Sequence, residues 1–251
     1  MTGQPVTVSL GTSVSALPAA EWDALTDGGN PFVSHAFLSA LEDSRSIGGR
    51  SGWTPAPLVV RRSDGILAAA LPAYLKSHSQ GEYVFDHSWA DAWQRAGGEY
   101  YPKLQIASPF TPATGPRILT RDPALAIPLL RAAETVCRQN ELSSVHATFI
   151  APDQLQHFTE AGWLPRSDLQ FHWENRGYQT FDDFLAGLSS ARRKTLRKER
   201  AAAQDGVEIR QITGAELDES HWDAFWAFYQ DTGSRKWGRP YLDPRGLHPA
   251  G

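Results

Sequence analysis

A chain of 251 residues with 41% hydrophobic and 21% charged positions has enough apolar material to bury a sizeable core and too little charge imbalance to remain unfolded. A net charge of -4 excludes a globally basic nucleic-acid or membrane binder, although a near-neutral sum can conceal a local basic patch. The single Cys137 rules out a disulfide within the chain and a cysteine-rich metal cluster; with no basic-then-apolar leader in MTGQPVTVSL and no apolar run long enough to span a bilayer, the sequence reads as a cytoplasmic protein without a transmembrane segment.

Val6 to Leu10 alternates as a strand does, and a helix opens at Leu17-Pro18, where proline suits a first turn, to end at Asp27-Gly28-Gly29-Asn30. Ser34 caps a helix running through Asp43, with Phe37, Leu38 and Leu41 as its apolar stripe. Leu58 to Arg62, the turn Ser63-Asp64-Gly65 and Ile66 to Lys76 form a β-hairpin, since Asp-Gly supplies the positive φ of a tight turn. The aromatic segment Gly81 to Arg117 reads as a short strand, a helix near Trp89 to Arg95, a strand at Lys103 to Ala107 and a proline-rich loop. Ala124 to Asn140 is a helix, Ser144 to Ile150 a strand, Pro152 to Ala161 a helix and Leu169 to Glu174 a strand. Past a boundary at Glu174 to Thr180 come helices at Thr180 to Leu188 and Ala191 to Gln204, a strand at Val207 to Ile212, and a helix from Ala215 to Asp231 carrying Trp222, Phe225, Trp226 and Tyr229. One strand cannot cover that aromatic face, so the chain reads as an α/β (α+β) module over residues 1–176, an incomplete second module over 177–242, and an unstructured tail over 243–251.

Three segments could carry chemistry. Glu82, Asp86, His87, Asp91, Lys103 and Arg117 lie among Tyr83, Trp89, Trp93, Tyr100 and Tyr101, a mixture suited to a cleft whose apolar walls strengthen a few placed polar groups. Within it Asp86 and His87 are the candidate catalytic base, weighed against a structural turn, and Tyr101, Lys103 and Arg117 are candidate substrate contacts. The proline-rich loop ending at Arg117 could offer backbone amides and a guanidinium to a ligand or serve only as a rigid connector. The helix Ala191 to Gln204 sets six cations against Glu199, and Arg193, Arg197 and Arg200 fall on one stripe, so an anionic partner such as RNA or a phosphate is weighed against a solvated face. No nucleotide-loop, dinucleotide, zinc-protease or hydrolase-elbow motif is present, and no metal is expected.

The segments NPFVSHAFLSALEDS, SGWTP, LPAYLKSHSQGEYVFDHSWADAW, GGEYYPKLQ, PFTPATGPR, LQFHWEN, LSSARRKTLRKERAAAQDGV and KWGRPYL together resemble the FemAB-like family of peptidoglycan-biosynthesis and GNAT-type acyltransferase proteins, from Asn30 to Pro240. The resemblance implies a tandem GNAT-like fold, a mixed sheet flanked by helices in each module. It also implies transfer of an acyl or aminoacyl group to an amine, with acyl-CoA or aminoacyl-tRNA as co-substrate. The basic helix followed by Gly206-Val207 is similar to the helix of Fem aminoacyltransferases, which implies contact with tRNA or a peptidoglycan precursor. Relatives continue past KWGRPYL, so the resemblance implies a second module cut short near Asp243; the segment Arg45-Ser46-Ile47-Gly48-Gly49-Arg50 departs from the acetyl-CoA loop pattern at its last position. A non-catalytic protein that binds a cell-wall precursor or RNA is the other reading.

Overall fold

The computed structural model describes residues 6–84, 86–236 and 240–243. Residues 244–251 of the expected tail, Phe85 within the expected short strand, and residues 237–239 of KWGRPYL lie outside them. The described residues group into two compact units, one of residues 6–165 with those from Trp222 on, the other Arg166–His221.

The first unit is a mixed α/β fold of two four-stranded sheets flanked by helices. Strand β1 (Val6–Leu10) enters, and helix α1 (Ala19–Asp23) starts behind Pro18. Helix α2 (His35–Asp43) is capped by Ser34, whose hydroxyl accepts from the Phe37 amide at 3.2 Å. Strands β2 (Trp53–Pro55), β3 (Leu58–Arg62), β4 (Leu67–Leu71) and β5 (Ala73–Lys76) follow. The hairpin turn between β3 and β4 holds Gly65 at φ 85°, a conformation open to glycine at no steric cost.

The single strand expected over Ile66 to Lys76 is two. Pro72 has no amide hydrogen to give a ladder, and its carbonyl instead accepts from Ala107 at 3.0 Å. The chain changes sheets there, so that β4 pairs with β3 and with β7 (Leu119–Thr120), while β5 pairs with β2 and with β6 (Lys103–Ile106). Helix α3 (His87–Arg95) lies between β5 and β6 in the chain, and Gly81 to Val84 form no strand. Strand β8 (Val145–Ala147) closes the second sheet by parallel pairing with β6. Helix α4 (Ala126–Gln139) covers that sheet with a stripe at helical spacing, Ala126, Leu129, Leu130 and Ala133, packed with Leu104, Ile106 and Phe158 of helix α5 (Leu155–Glu160).

The second unit holds helices α6 (Phe181–Ala186) and α7 (Ser190–Gln204). The strands expected at Leu169 to Glu174 and Val207 to Ile212 do not form. Alternation alone cannot make a strand, because its amides need a neighbouring ladder, and this unit contains none among its described residues. Phe171 and Ile209 are accordingly 89% and 69% exposed. The last helix, α8 (Glu219–Arg235), begins four residues later than expected; Trp222 and Trp226 are half-buried, whereas Phe225 and Phe228 remain exposed. No helix of the described residues is long and apolar enough to cross a membrane.

Candidate functional site

The second sheet has two unlike faces. Its strand register places Trp53, Lys76 and Lys103 in one row and Pro55, Tyr74 and Gln105 in the next. The intervening residues Leu75, Leu104, Ala73 and Ile106 point the other way, into the core under α4. Lys76, Tyr74, Lys103 and Gln105 all have 0% exposure. Two lysines directly opposite each other on a buried face are destabilising unless anions answer them.

The anions come from the segment between β5 and β6. Lys103 Nζ donates to Glu82 Oε2 at 2.9 Å, to Asp86 Oδ2 at 2.8 Å and to Ser79 Oγ at 3.2 Å, which uses all three ammonium protons. Asp86 Oδ2 also accepts from the Ser79 hydroxyl at 2.9 Å and from Tyr100 Oη at 2.9 Å. With its one proton committed to Asp86, Ser79 must accept from Tyr101, whose hydroxyl lies 2.5 Å away. Lys76 Nζ sits 3.7 Å from the centroid of the Trp53 ring and donates to the Gln80 carbonyl at 3.1 Å.

Asp86 occupies the N-cap position of α3, and its backbone carbonyl accepts from Trp89 and Ala90, yet its side chain makes no capping bond. Aspartate is among the best capping residues. Here its carboxylate is given to Lys103 instead, so local helix stability yields to the buried cluster. His87, the first residue of α3, is exposed and makes no hydrogen bond with Asp86, because the helix turns the two side chains apart.

The two carboxylates differ in what surrounds them. Burial raises the Glu82 carboxyl above its ordinary range against the pull of Lys103. Burial acts in the same direction on Asp86, but hydrogen bonds from Lys103 and Ser79, the Lys103 charge and Tyr100 outweigh it and hold Asp86 low. Burial also brings the Lys76 ammonium down to about 7, against the attraction of Glu82 and with help from the Lys103 charge. Four buried side-chain atoms lack a partner among the described residues, Glu82 Oε1, Asp86 Oδ1, Tyr74 Oη and Gln105 Oε1. Three of the four can only accept, so the cluster is matched to a group rich in N–H or O–H donors.

Lys76 has a measurable signature. A lysine whose folded pKa lies below its unfolded value opposes folding while it must carry charge, so stability rises as pH climbs from about 7 toward 10.5. Lys76→Met is expected to remove that rise, gaining urea midpoint over the native chain at pH 6 and losing the advantage at pH 9.5. Parallel midpoint-versus-pH curves for the two proteins would show that Lys76 titrates normally.

The remaining expected contacts are placed otherwise. Arg117 is fully buried, and its guanidinium donates to the carbonyls of Thr148, Pro116 and Ala113 at 2.8, 3.1 and 2.9 Å. It braces the loop that precedes it, and burial lowers its pKa to about 10. In the second unit the stripe of Arg193, Arg197 and Arg200 faces α6. Arg193 donates to the carbonyl of Leu188 at 2.5 Å beyond the α6 C-terminus, Arg197 pairs with Asp182 at 3.0 Å, and Arg200 lies 4.3 Å over the Phe181 ring. Arg192, Lys194 and Lys198 lie off that stripe and are exposed.

The structure thus joins Glu82, Asp86, Tyr100, Tyr101 and Lys103 of that segment in one cluster, leaves His87 outside it, and adds Ser79 and Lys76. Lys76 carried a signal in the sequence, a lysine closing the otherwise apolar strand AYLK. Ser79 carried none.

A mixed α/β fold that buries two lysines and two carboxylates beside one sheet face defines a protein with a built polar site. The chain belongs to the FemAB-like family, described as peptidoglycan biosynthesis/recognition, which matches residues 13–248. No curated protein matches it. Among solved structures the chain is similar to glucosamine-6-phosphate N-acetyltransferase from Arabidopsis thaliana, at 12% identity over 67% of this chain and 99% of that one, with a TM-score of 0.35.

Proposed function

We propose that the chain is an N-acyltransferase of the GNAT/Fem type, moving an acyl or aminoacyl group onto an amine, with a peptidoglycan precursor as the acceptor class. The observation that carries this reading is Glu82, a buried carboxylate raised above its ordinary range with one oxygen on Lys103 and the other, Oε1, without a partner. An incoming ammonium is a donor that matches such an oxygen. Glu82 takes one proton from it, and the amine nitrogen then bonds to the acyl carbonyl carbon. As that C–N bond forms, the bond to the leaving thiolate of acyl-CoA or ribose oxygen of aminoacyl-tRNA breaks, the leaving group accepts the second proton that the nitrogen gives up, and Glu82 returns the first to water.

In this reading Asp86 and Lys103 position Glu82, and Tyr101 and Ser79 fix Asp86. Residues 1–176 form the first GNAT-like module and 177–242 the opening of a second, and the reaction belongs to the cytoplasm, where both donors are made. A tRNA donor would be met by Lys194 and Lys198, since Arg193, Arg197 and Arg200 are engaged with α6.

The test uses acetyl-CoA and aminoacyl-tRNA, each labelled in the transferred group, with amine acceptors that include a peptidoglycan stem peptide. Labelled amide product from one donor is expected with the folded chain. Absence of product from both donors, in a preparation shown to be folded by circular dichroism, would reject the enzyme reading.

A further inference from the structure

The second unit leaves two segments of its chain without a ladder. Residues 169–174 precede α6 and residues 207–212 follow α7, and neither segment forms helix or strand. Among the described residues no backbone–backbone hydrogen bond reaches residues 171–174 or 208–212. Both segments still alternate. Leu169, Phe171 and Trp173 interleave with Gln170, His172 and Glu174, and Val207 and Ile209 interleave with Glu208 and Arg210. The five apolar side chains are between 58% and 89% exposed. Apolar residues repeated at a period of two along an unpaired main chain are the features of an edge that takes up another strand.

The polar residues of each segment meet along its own length. His172 Nε2 lies 2.9 Å from Gln170 Oε1, and Arg210 Nε donates to Glu208 Oε1 at 2.7 Å. Contacts between residues two apart are those of one strand face. Exposed contacts of this kind contribute little, so partners on a facing strand can replace them.

The two segments fit each other in one antiparallel register. With Phe171 opposite Ile209, Trp173 falls opposite Val207 and Leu169 opposite Gln211, while His172 faces Glu208 and Gln170 faces Arg210. Aromatic residues then meet β-branched ones on one side. On the other, an imidazole N–H meets a carboxylate and an amide oxygen meets a guanidinium. A slip of two residues that sets Trp173 against Ile209 places His172 against Arg210 and Glu174 against Glu208, a like-charge pair. The opposite slip carries Trp173 past Val207 to Asp205.

Both segments belong to one compact unit, yet the chain does not pair them with each other. We infer that they pair between two copies of the chain, residues 169–174 of each copy lying antiparallel to residues 207–212 of the other. A single foreign strand would satisfy one segment. A second copy satisfies both at once, through two equivalent ladders related by a two-fold axis. The pairing does not involve the Glu82 cluster and stands whether or not the chain transfers acyl groups.

The test is sedimentation velocity of the whole chain over a concentration series, beside His172→Glu, Glu208→Lys, an equimolar mixture of these two variants, and the double variant. Both replaced side chains are exposed, and thermal melts check that folding is equal. The native chain is expected to dimerise. His172→Glu sets two carboxylates against each other in both ladders, and Glu208→Lys sets a lysine against His172, so each weakens the dimer about tenfold. In the mixture the altered side chain of one copy meets the altered, oppositely charged side chain of the other, and the second ladder keeps its native pair. Dimers of native strength therefore return in the mixture and in the double variant. A native chain that stays monomeric, or a dimer that neither single variant weakens, overturns the inference. So does a mixture that fails to recover, and recovery confined to the double variant assigns the pairing to a single chain.

Discussion

Replacing Lys103 with methionine is expected to lower the unfolding free energy by about 3–5 kcal/mol, the range found when one partner of a buried ion pair is removed. Methionine preserves the stem and deletes the ammonium. Glu82 and Asp86 then keep their burial but lose the cation that each contacts within 2.9 Å. Lys76 is the nearest substitute, but it is turned onto Trp53 and Gln80 and is already close to neutral at physiological pH.

The sign of the pH dependence separates this cause from simple loss of packing. In the native chain Asp86 is held low, so it contributes stability above its unfolded pKa that is lost as pH falls through its lowered value. Glu82 is held high, so its contribution runs the other way and fades as pH rises through its raised value. Without Lys103 both carboxyls bind protons more tightly. Acidification from pH 8 to pH 5 should therefore narrow the deficit of Lys103→Met, measured by urea unfolding at each pH. A loss below about 1 kcal/mol, or a deficit of constant size, would mean that the cluster is hydrated and the charges are largely screened.

The parts of the fold that depend on local chemistry were legible in the sequence. Ser34 as a cap, Asp64-Gly65 as a turn and the helix expected over Ala124 to Asn140 each depend on residues a few positions apart, and the structure forms all three, the last as α4. Pro72 was visible as a residue, but its consequence was not, because changing sheets depends on Ala107 and on two sets of strand partners far along the chain. The strands expected at Leu169 and Val207 fail for the complementary reason. Their alternation is real, and what is missing lies outside the segment.

The same division runs through the site. Asp86, Tyr101 and Lys103 could be named because charged and aromatic residues crowd one stretch of sequence. That Lys76 faces Lys103 is a matter of register between β5 and β6, and a shift of one residue would send either lysine into the apolar core. The Asp86-His87 pair looked like a base because the residues adjoin in sequence, whereas at a helix start neighbours point apart. The arginine stripe of α7 was correctly placed on one face; spacing alone could not say that α6 occupies it.

Glu82→Gln and Asp86→Asn should then separate proton transfer from positioning. Both are close in shape to the native side chain, and both leave Lys103 one full carboxylate. If Glu82 takes the proton from the acceptor amine, Glu82→Gln lowers kcat/KM by roughly a hundredfold to ten-thousandfold, the usual contribution of a general base. Asp86→Asn acts through Glu82. The negative charge of Asp86 is one of the influences that raise the Glu82 carboxyl, and Lys103 freed from Asp86 pulls it down further. The acid limb of the pH–rate profile, which follows ionisation of the base, should therefore move to lower pH in Asp86→Asn, with a loss of rate near neutrality of about tenfold, because a base of lower pKa accepts a proton less readily. Label transfer measured from pH 5 to pH 9 reads both effects. An unmoved acid limb in Asp86→Asn with a collapse of rate as deep as that of Glu82→Gln would assign the base to Asp86, and near-native turnover in Glu82→Gln would remove the cluster from the chemistry.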